Sequence, residues 1–267
     1  MERLAETLRA ARDDRQKVVV PYVMVDRARR ARFRPTVRGL VDAGAAALEL
    51  GFPFSDPIAD GPTLEAAADR ALVHGTRWAD LLEALREASP LLPTAVMTYA
   101  NPVWARGLTR AAEELRRAGA TGLIVPDLSL EEAGPWRQAA ARAGLALVLL
   151  AAPAASAART AAIARRSRGF LYLVSRFGTT GARAPAPAQE LAPLVGAAHR
   201  AAPRLPVLVG FGIHDAPSAR RALGSGADGV VVGSALEELL GRGASVGEVT
   251  KWTGTIVRAV RAEAPGS

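Results

Sequence analysis

Hydrophobic residues in this chain fall into short continuous runs, separated by longer segments in which alanine and leucine alternate with charged residues. The runs are VVVPYVMV (18–25), ALEL (47–50), PTAVMTY (93–99), GLIVPD (122–127), LALVLL (145–150), GFLYLVS (169–175), PVLVGFG (206–212) and DGVVVG (228–233). A run with no polar face predicts a strand covered on both sides, as in a parallel sheet. Helical spacing of apolar residues fills the gaps, at 36–44, 64–88, 108–118, 131–143, 156–167, 188–201, 215–225 and 245–262. Alternation of strand and helix eight times over is the sequence image of an α/β fold, a single-domain (β/α)8 TIM barrel spanning 1–267. A doubly wound open sheet is the alternative, but no GxGxxG follows the first strand. Residues 1–14 predict an extra N-terminal helix over the barrel bottom, and ALEELL after strand eight a short additional helix.

Composition adds constraints. The 267 residues are 49% hydrophobic, so a large core is available. No apolar stretch has the length of a membrane helix, and the charged N-terminus is unlike a signal peptide, so no membrane role is expected. Cysteine is absent, which removes thiolate chemistry and fits a cytoplasmic protein. The net charge of +8 and the pI of ≈ 10.9 raise a nucleic-acid reading. The charge is scattered arginine in alanine-rich helices, with no basic block interleaved with aromatics. An anionic small substrate is the better match, and no nucleic acid is expected.

The chemistry concentrates at strand ends, where such barrels carry their active sites. In LELGFPFSDPIADGP (48–62), Glu49 lies between Leu48 and Leu50. Side chains alternate along a strand, so Glu49 points into the barrel if the leucines point out. A carboxylate in that apolar bowl has a raised pKa suited to moving protons near neutral pH. The bland alternative is a structural ion pair, for which Arg176 is the candidate at a strand end. Asp56 and Asp60 follow on a Pro/Gly-rich loop, where an Asx-turn or helix cap is the competing role.

Gly210-Phe211-Gly212 ends strand seven, and Gly233-Ser234 ends strand eight before the short helix. These are the positions of the recurrent barrel phosphate site, where glycine backbones and a helix N-terminus meet the anion. The stretch 176–189 is the longest loop-like segment and predicts a lid. Lys17 and Lys251 lie away from strand ends, which argues against a Schiff base. The histidines lack metal-binding spacing, so no metal is expected. His74 and His199 are expected at the surface, and His214 near ligand.

These residues resemble the tryptophan synthase α-subunit family. The resemblance runs through LELGFPFSDPIADGPT (48–63), VMTYANPV (96–103), GLIVPDLSLEE (122–132), GFLYLVSRFGTTGAR (169–183), VGFGI (209–213) and DGVVVGSAL (228–236), in order over nearly the whole chain. It implies a lyase that cleaves indole-3-glycerol phosphate to indole and glyceraldehyde 3-phosphate without cofactor, in tryptophan biosynthesis. It implies Glu49 as general acid/base, Asp60 as acceptor of the indole N–H and Tyr172 beside Glu49. Gly181, Gly212, Gly233 and Ser234 match phosphate contacts, and Thr180 a lid threonine. Tyr22, Met97, Tyr99, Pro126 and Leu150 match the indole pocket wall, and Asp56 a contact to a β subunit. Where members usually read Thr-x-Gly-Asp-Pro after strand one, this chain has Met24-Val25-Asp26-Arg27, and Tyr22 replaces the usual Phe. Those rim departures motivate a second reading, a stand-alone lyase releasing free indole. A non-catalytic allosteric barrel and a phosphosugar isomerase are further alternatives.

Overall fold

The computed structural model describes residues 2–175, 187–210 and 212–263. Eight parallel strands close into a barrel in sequence order: β1 (Val18–Met24), β2 (Leu48–Gly51), β3 (Thr94–Met97), β4 (Gly122–Ile124), β5 (Ala146–Ala151), β6 (Leu171–Val174), β7 (Val207–Gly210) and β8 (Gly229–Val232). Around them run α1 (Glu2–Asp13), α2 (Arg30–Asp42), α3 (Pro62–Val73), α4 (Trp78–Ala88), α5 (Ala100–Arg106) and α6 (Leu108–Arg117). They continue as α7 (Ala133–Ala143), α8 (Ala157–Arg166), α9 (Ala188–Ala201), α10 (Ala216–Leu223), α11 (Ser234–Gly241) and α12 (Val246–Arg261).

The period-two alternation of each strand sorts its side chains into two cores. Leu48, Leu50, Leu171, Leu173, Val207 and Val209 face outward into the layer beneath the helices. Tyr22, Met97, Tyr172, Leu208 and Val231 point inward. The parity expected for Glu49 follows: it pairs in register with Tyr22 on β1 and Ala95 on β3, at the level of the inner cluster.

Helix α1 supplies Leu4 and Leu8 to the inner cluster, which places it across the barrel bottom as expected. At that end Asp228 accepts from the Val207 N–H at 2.8 Å, lies 2.9 Å from His199 Nε2 and pairs with Arg12 of α1 at 3.1 Å. His199 therefore anchors a carboxylate instead of sitting free on the surface.

The structure departs from the pattern in three places. The helical stretch 64–88 is two helices, α3 and α4, interrupted where Gly75 adopts φ +72°, a left-handed conformation that glycine takes without a Cβ clash. Helix α5 occupies a stretch between the third strand and the 108–118 helix to which the pattern assigned no element; its first N–H, on Ala100, is capped at 2.9 Å by Asp127 from the turn after β4. Helix α2 begins at Arg30, six residues early, because Asp26 opens a 3-10 turn by accepting from the Ala28 N–H.

Leu8 is 1% exposed in the inner core. Leu8→Ala is expected to lower the unfolding free energy by about 2–5 kcal/mol, measured by urea denaturation. A loss below about 1 kcal/mol would show that α1 does not seal the barrel.

Candidate active site

Glu49 is 1% exposed at the C-terminal end of β2. Neither carboxylate oxygen has a hydrogen-bond partner among the described residues. An ionised carboxylate in such a place loses its hydration and gains nothing in return. Burial, and secondarily the charge of Asp60, pushes the Glu49 carboxyl up to about 8. Glu49 forms no ion pair among the described residues; Arg176 lies outside them.

Asp60 sits at the end of the β2–α3 loop, 3% exposed. It is not a helix cap: the N-cap of α3 is Gly61, with no side-chain cap bond, and Asp60 Oδ1 is unpartnered. Burial raises its carboxyl to about 7, while the Tyr99 hydroxyl, which donates to it, pulls the other way. The same hydroxyl accepts from the Ala59 N–H at 3.0 Å. Tyr99 thus ties the loop to β3 and holds Asp60 inward, a positioning task beyond the pocket-wall role that the resemblance implies. The charge of Asp60 opposes ionisation of Glu49, and both carboxylates oppose ionisation of Tyr172.

Tyr172 on β6 and Tyr22 on β1 flank Glu49. Burial raises both phenols well above 10, and the charge of Glu49 adds to each shift, so both stay protonated. Each ring is seated on a glycine. A Cβ built on Gly51 would overlap the Tyr22 hydroxyl, and one on Gly210 the Tyr172 hydroxyl. The two strand-end glycines are therefore the space that the tyrosines occupy.

A cleft opens at this end of the barrel. Tyr22, Glu49, Met97 and Tyr172 line it together with Gly212, Gly233 and Ser234. Gly212 has φ +74°, which leaves its peptide free to turn toward the cleft. Gly233 is the N-cap of α11 and Ser234 its first residue, with no side chain capping the helix, so the uncapped N–H groups of the first turn are available to an anion. Thr180 and Gly181 lie outside the described residues.

Other expectations fall elsewhere. Leu150 packs against the inner cluster, and Pro126 is half-buried in the turn after β4. Asp56 lies on the exposed face of the β2–α3 loop, accepting from the Ser55 hydroxyl at 2.5 Å, beside Ile58, which is 71% exposed. His214 is exposed, with Nδ1 3.0 Å from the Gly212 carbonyl. His74 is exposed, as expected, and its Nδ1 lies 2.8 Å from Asp26 Oδ1. Leu64, Ile213 and Val231 also line the cleft and were not singled out from the sequence. Strand parity could have found Val231, two residues before Gly233; nothing local marks Leu64. Among the described residues no cluster of metal-binding side chains occurs, and no helix is long and apolar enough to cross a membrane.

Known proteins are similar to this chain in sequence and in fold. A family model described as tryptophan synthase alpha chain matches residues 8–256. The tryptophan synthase alpha chain of Methanosarcina barkeri is 37% identical over 247 residues, 92% of each chain. That of Alkalilimnicola ehrlichii is 43% identical over 239 residues, 88% of this chain and 86% of the relative. Aminoacrylate-bound tryptophan synthase from M. tuberculosis superposes with a TM-score of 0.85 at 33% identity, covering 97% of this chain and 99% of that one. Tryptophan synthase subunit alpha from Legionella pneumophila gives 0.84 at 30% identity, covering 97% and 98%. With matches over nine-tenths of its length and a closed barrel of the same form, this chain belongs to the tryptophan synthase alpha chain family.

Proposed function

We propose that the chain is the lyase of that family, cleaving indole-3-glycerol phosphate to indole and glyceraldehyde 3-phosphate as the α subunit of tryptophan synthase. The observation that carries this reading is the pair of buried carboxyls, Glu49 and Asp60, near enough that the charge of Asp60 raises the Glu49 pKa, each with an oxygen that has no partner among the described residues.

The reaction is a retro-aldol cleavage. Indole C3 gains a proton, the indole N1–H is lost, the C3–C3′ bond breaks, and the C3′ hydroxyl loses its proton as it becomes an aldehyde. A group with a pKa of about 8 is largely protonated at pH 7 and serves as the acid toward C3. Once it has given up that proton, the Glu49 carboxylate takes the hydroxyl proton and returns to its starting state. Asp60, at about 7, is partly ionised at the same pH; it accepts the N1 proton as C3 is protonated and gives it back to N1 as the C3–C3′ bond breaks, so indole leaves with its N–H restored. Environments that hold two carboxyls in different protonation states divide the acid and base roles between them. Every proton moved has a carboxyl to receive it, so the chemistry asks for no cofactor.

The aromatic end of the substrate fits against Tyr22, Met97 and Tyr172, and the phosphate against the N–H groups at Gly212 and Gly233-Ser234. Thr180 and Gly181 join them by family resemblance. The exposed Asp56–Ile58 segment is offered as the contact to a β subunit: an apolar side chain standing in solvent beside a carboxylate has the chemistry of an interface.

Glu49→Gln keeps the shape and removes the acid. Cleavage of indole-3-glycerol phosphate is expected to fall by ~10²–10⁴-fold with substrate affinity retained, measured by indole release and by equilibrium binding. An active Glu49→Gln enzyme would sink the assignment.

Gly233→Val places branched carbons beside Tyr22, whose ring lies within 3.4–3.6 Å of a Cβ built at that position, and where the anion would approach the backbone. KM is expected to rise by about tenfold or more, with folding kept by circular dichroism. An unchanged KM would place the phosphate elsewhere.

A further inference from the structure

One fully buried carboxylate takes no part in the steps above. Glu237 lies on α11, one turn beyond Ser234, and is 0% exposed. A buried charge persists only when its surroundings satisfy it. Here Oε1 accepts from the Met24 N–H at 2.7 Å, and Oε2 accepts from Arg29 Nη1 at 2.8 Å. Arg29 Nε lies 3.6 Å from Asp26 Oδ2, and Asp26 Oδ1 is 2.8 Å from His74 Nδ1. A connected line of polar contacts therefore runs from the C-cap of α3 through the loop after β1 to the second turn of α11.

The two ends of that line matter. Helix α3 follows directly on Asp60, and α11 opens with the N–H groups at Gly233-Ser234. The Glu237 N–H itself donates to the Gly233 carbonyl at 2.9 Å, so its backbone fixes the cap while its side chain fixes the helix to β1. Met24 lies two residues beyond Tyr22, the ring against which Gly233 sits. The segment is also where Met24-Val25-Asp26-Arg27 departs from the family's usual sequence.

We propose that Glu237 is a positioning residue for phosphate: paired with Met24 and Arg29, it sets the height and tilt of α11 so that the Gly233-Ser234 backbone meets the anion. This rests on the reading of those two residues as phosphate donors. Glu237 touches no substrate and acts through the helix it anchors. A ring or helix end misplaced by a fraction of an ångström weakens a preorganised contact even when the protein folds. Arg29 contributes by neutralising the carboxylate, and Asp26 and His74 by fixing Arg29.

The test uses the full chain as wild type, Glu237→Gln, Arg29→Gln and the double variant. Inorganic phosphate affinity is measured by calorimetry, and KM and kcat with indole-3-glycerol phosphate, with thermal unfolding as the check on folding. Each single variant is expected to weaken phosphate binding by about tenfold and to raise KM in step, with a smaller effect on kcat. The double variant is expected to be no weaker than Glu237→Gln, because the two residues act as one unit. A folded Glu237→Gln chain with phosphate affinity and KM within about twofold of a phosphate-binding wild type overturns the inference alone. So does a loss confined to kcat. If Glu237→Gln does not fold, Arg29→Gln, whose side chain is partly exposed, carries the same two outcomes. A wild type with no phosphate affinity, together with an unchanged KM in Gly233→Val, overturns the phosphate pocket and this inference with it.

Discussion

The site depends on the desolvation of Glu49. A carboxylate at the end of β2, walled by Tyr22, Tyr172 and Met97 and with no donor among the described residues, is less stable ionised than it would be in water. That cost keeps a proton on it near neutral pH, and in the proposed reaction that proton is the reagent. The barrel makes the arrangement tolerable by surrounding one unsatisfied group with a closed sheet and a core sealed at the bottom by α1. The same burial that would weaken a storage site for charge suits a group that must both give and take a proton.

Asp60 and the tyrosines extend this constraint. The second carboxyl arrives on a loop, so its position has to be imposed from outside, and the Tyr99 hydroxyl bridging Asp60 and the Ala59 N–H does this. Gly51 and Gly210 leave room for the Tyr22 and Tyr172 hydroxyls, which confines each ring to one place above Glu49. Across the barrel, the glycines that free backbone N–H groups at Gly212 and Gly233 complete a cleft with an acidic, apolar centre and a donor-rich rim. In the proposed function, charge chemistry lies deep and anion recognition lies at the edge.

Much of this was legible in the sequence, for a physical reason. Strands buried on both faces read as continuous apolar runs, so all eight were visible, and strand parity alone directed Glu49 inward between Leu48 and Leu50. The strand-end glycines also stood out because barrel geometry fixes where a phosphate sits. What the sequence hid was set by contacts between distant segments. The start of α5 depends on Asp127, 27 residues away from Ala100. The break between α3 and α4 turns on one glycine in an otherwise continuous helical pattern. His199 looked like a surface residue because the carboxylate it holds, Asp228, lies 29 residues away, and the contact of the exposed His74 with Asp26 spans 48. Glu237 read as one more polar residue of a short helix, since its partner Arg29 is 208 residues distant.

The most direct test of the account is the titration of Glu49 itself. Carboxyl infrared difference spectra between wild type and Glu49→Gln, recorded across pH in the unliganded protein, isolate the signal of this one group. Desolvation predicts a protonated-carboxyl band that persists through neutrality and is lost with a midpoint of about 8. A midpoint near the ordinary value of 4.5 would mean that the carboxylate is solvated or paired, and the claim that burial arms it with a proton would be wrong.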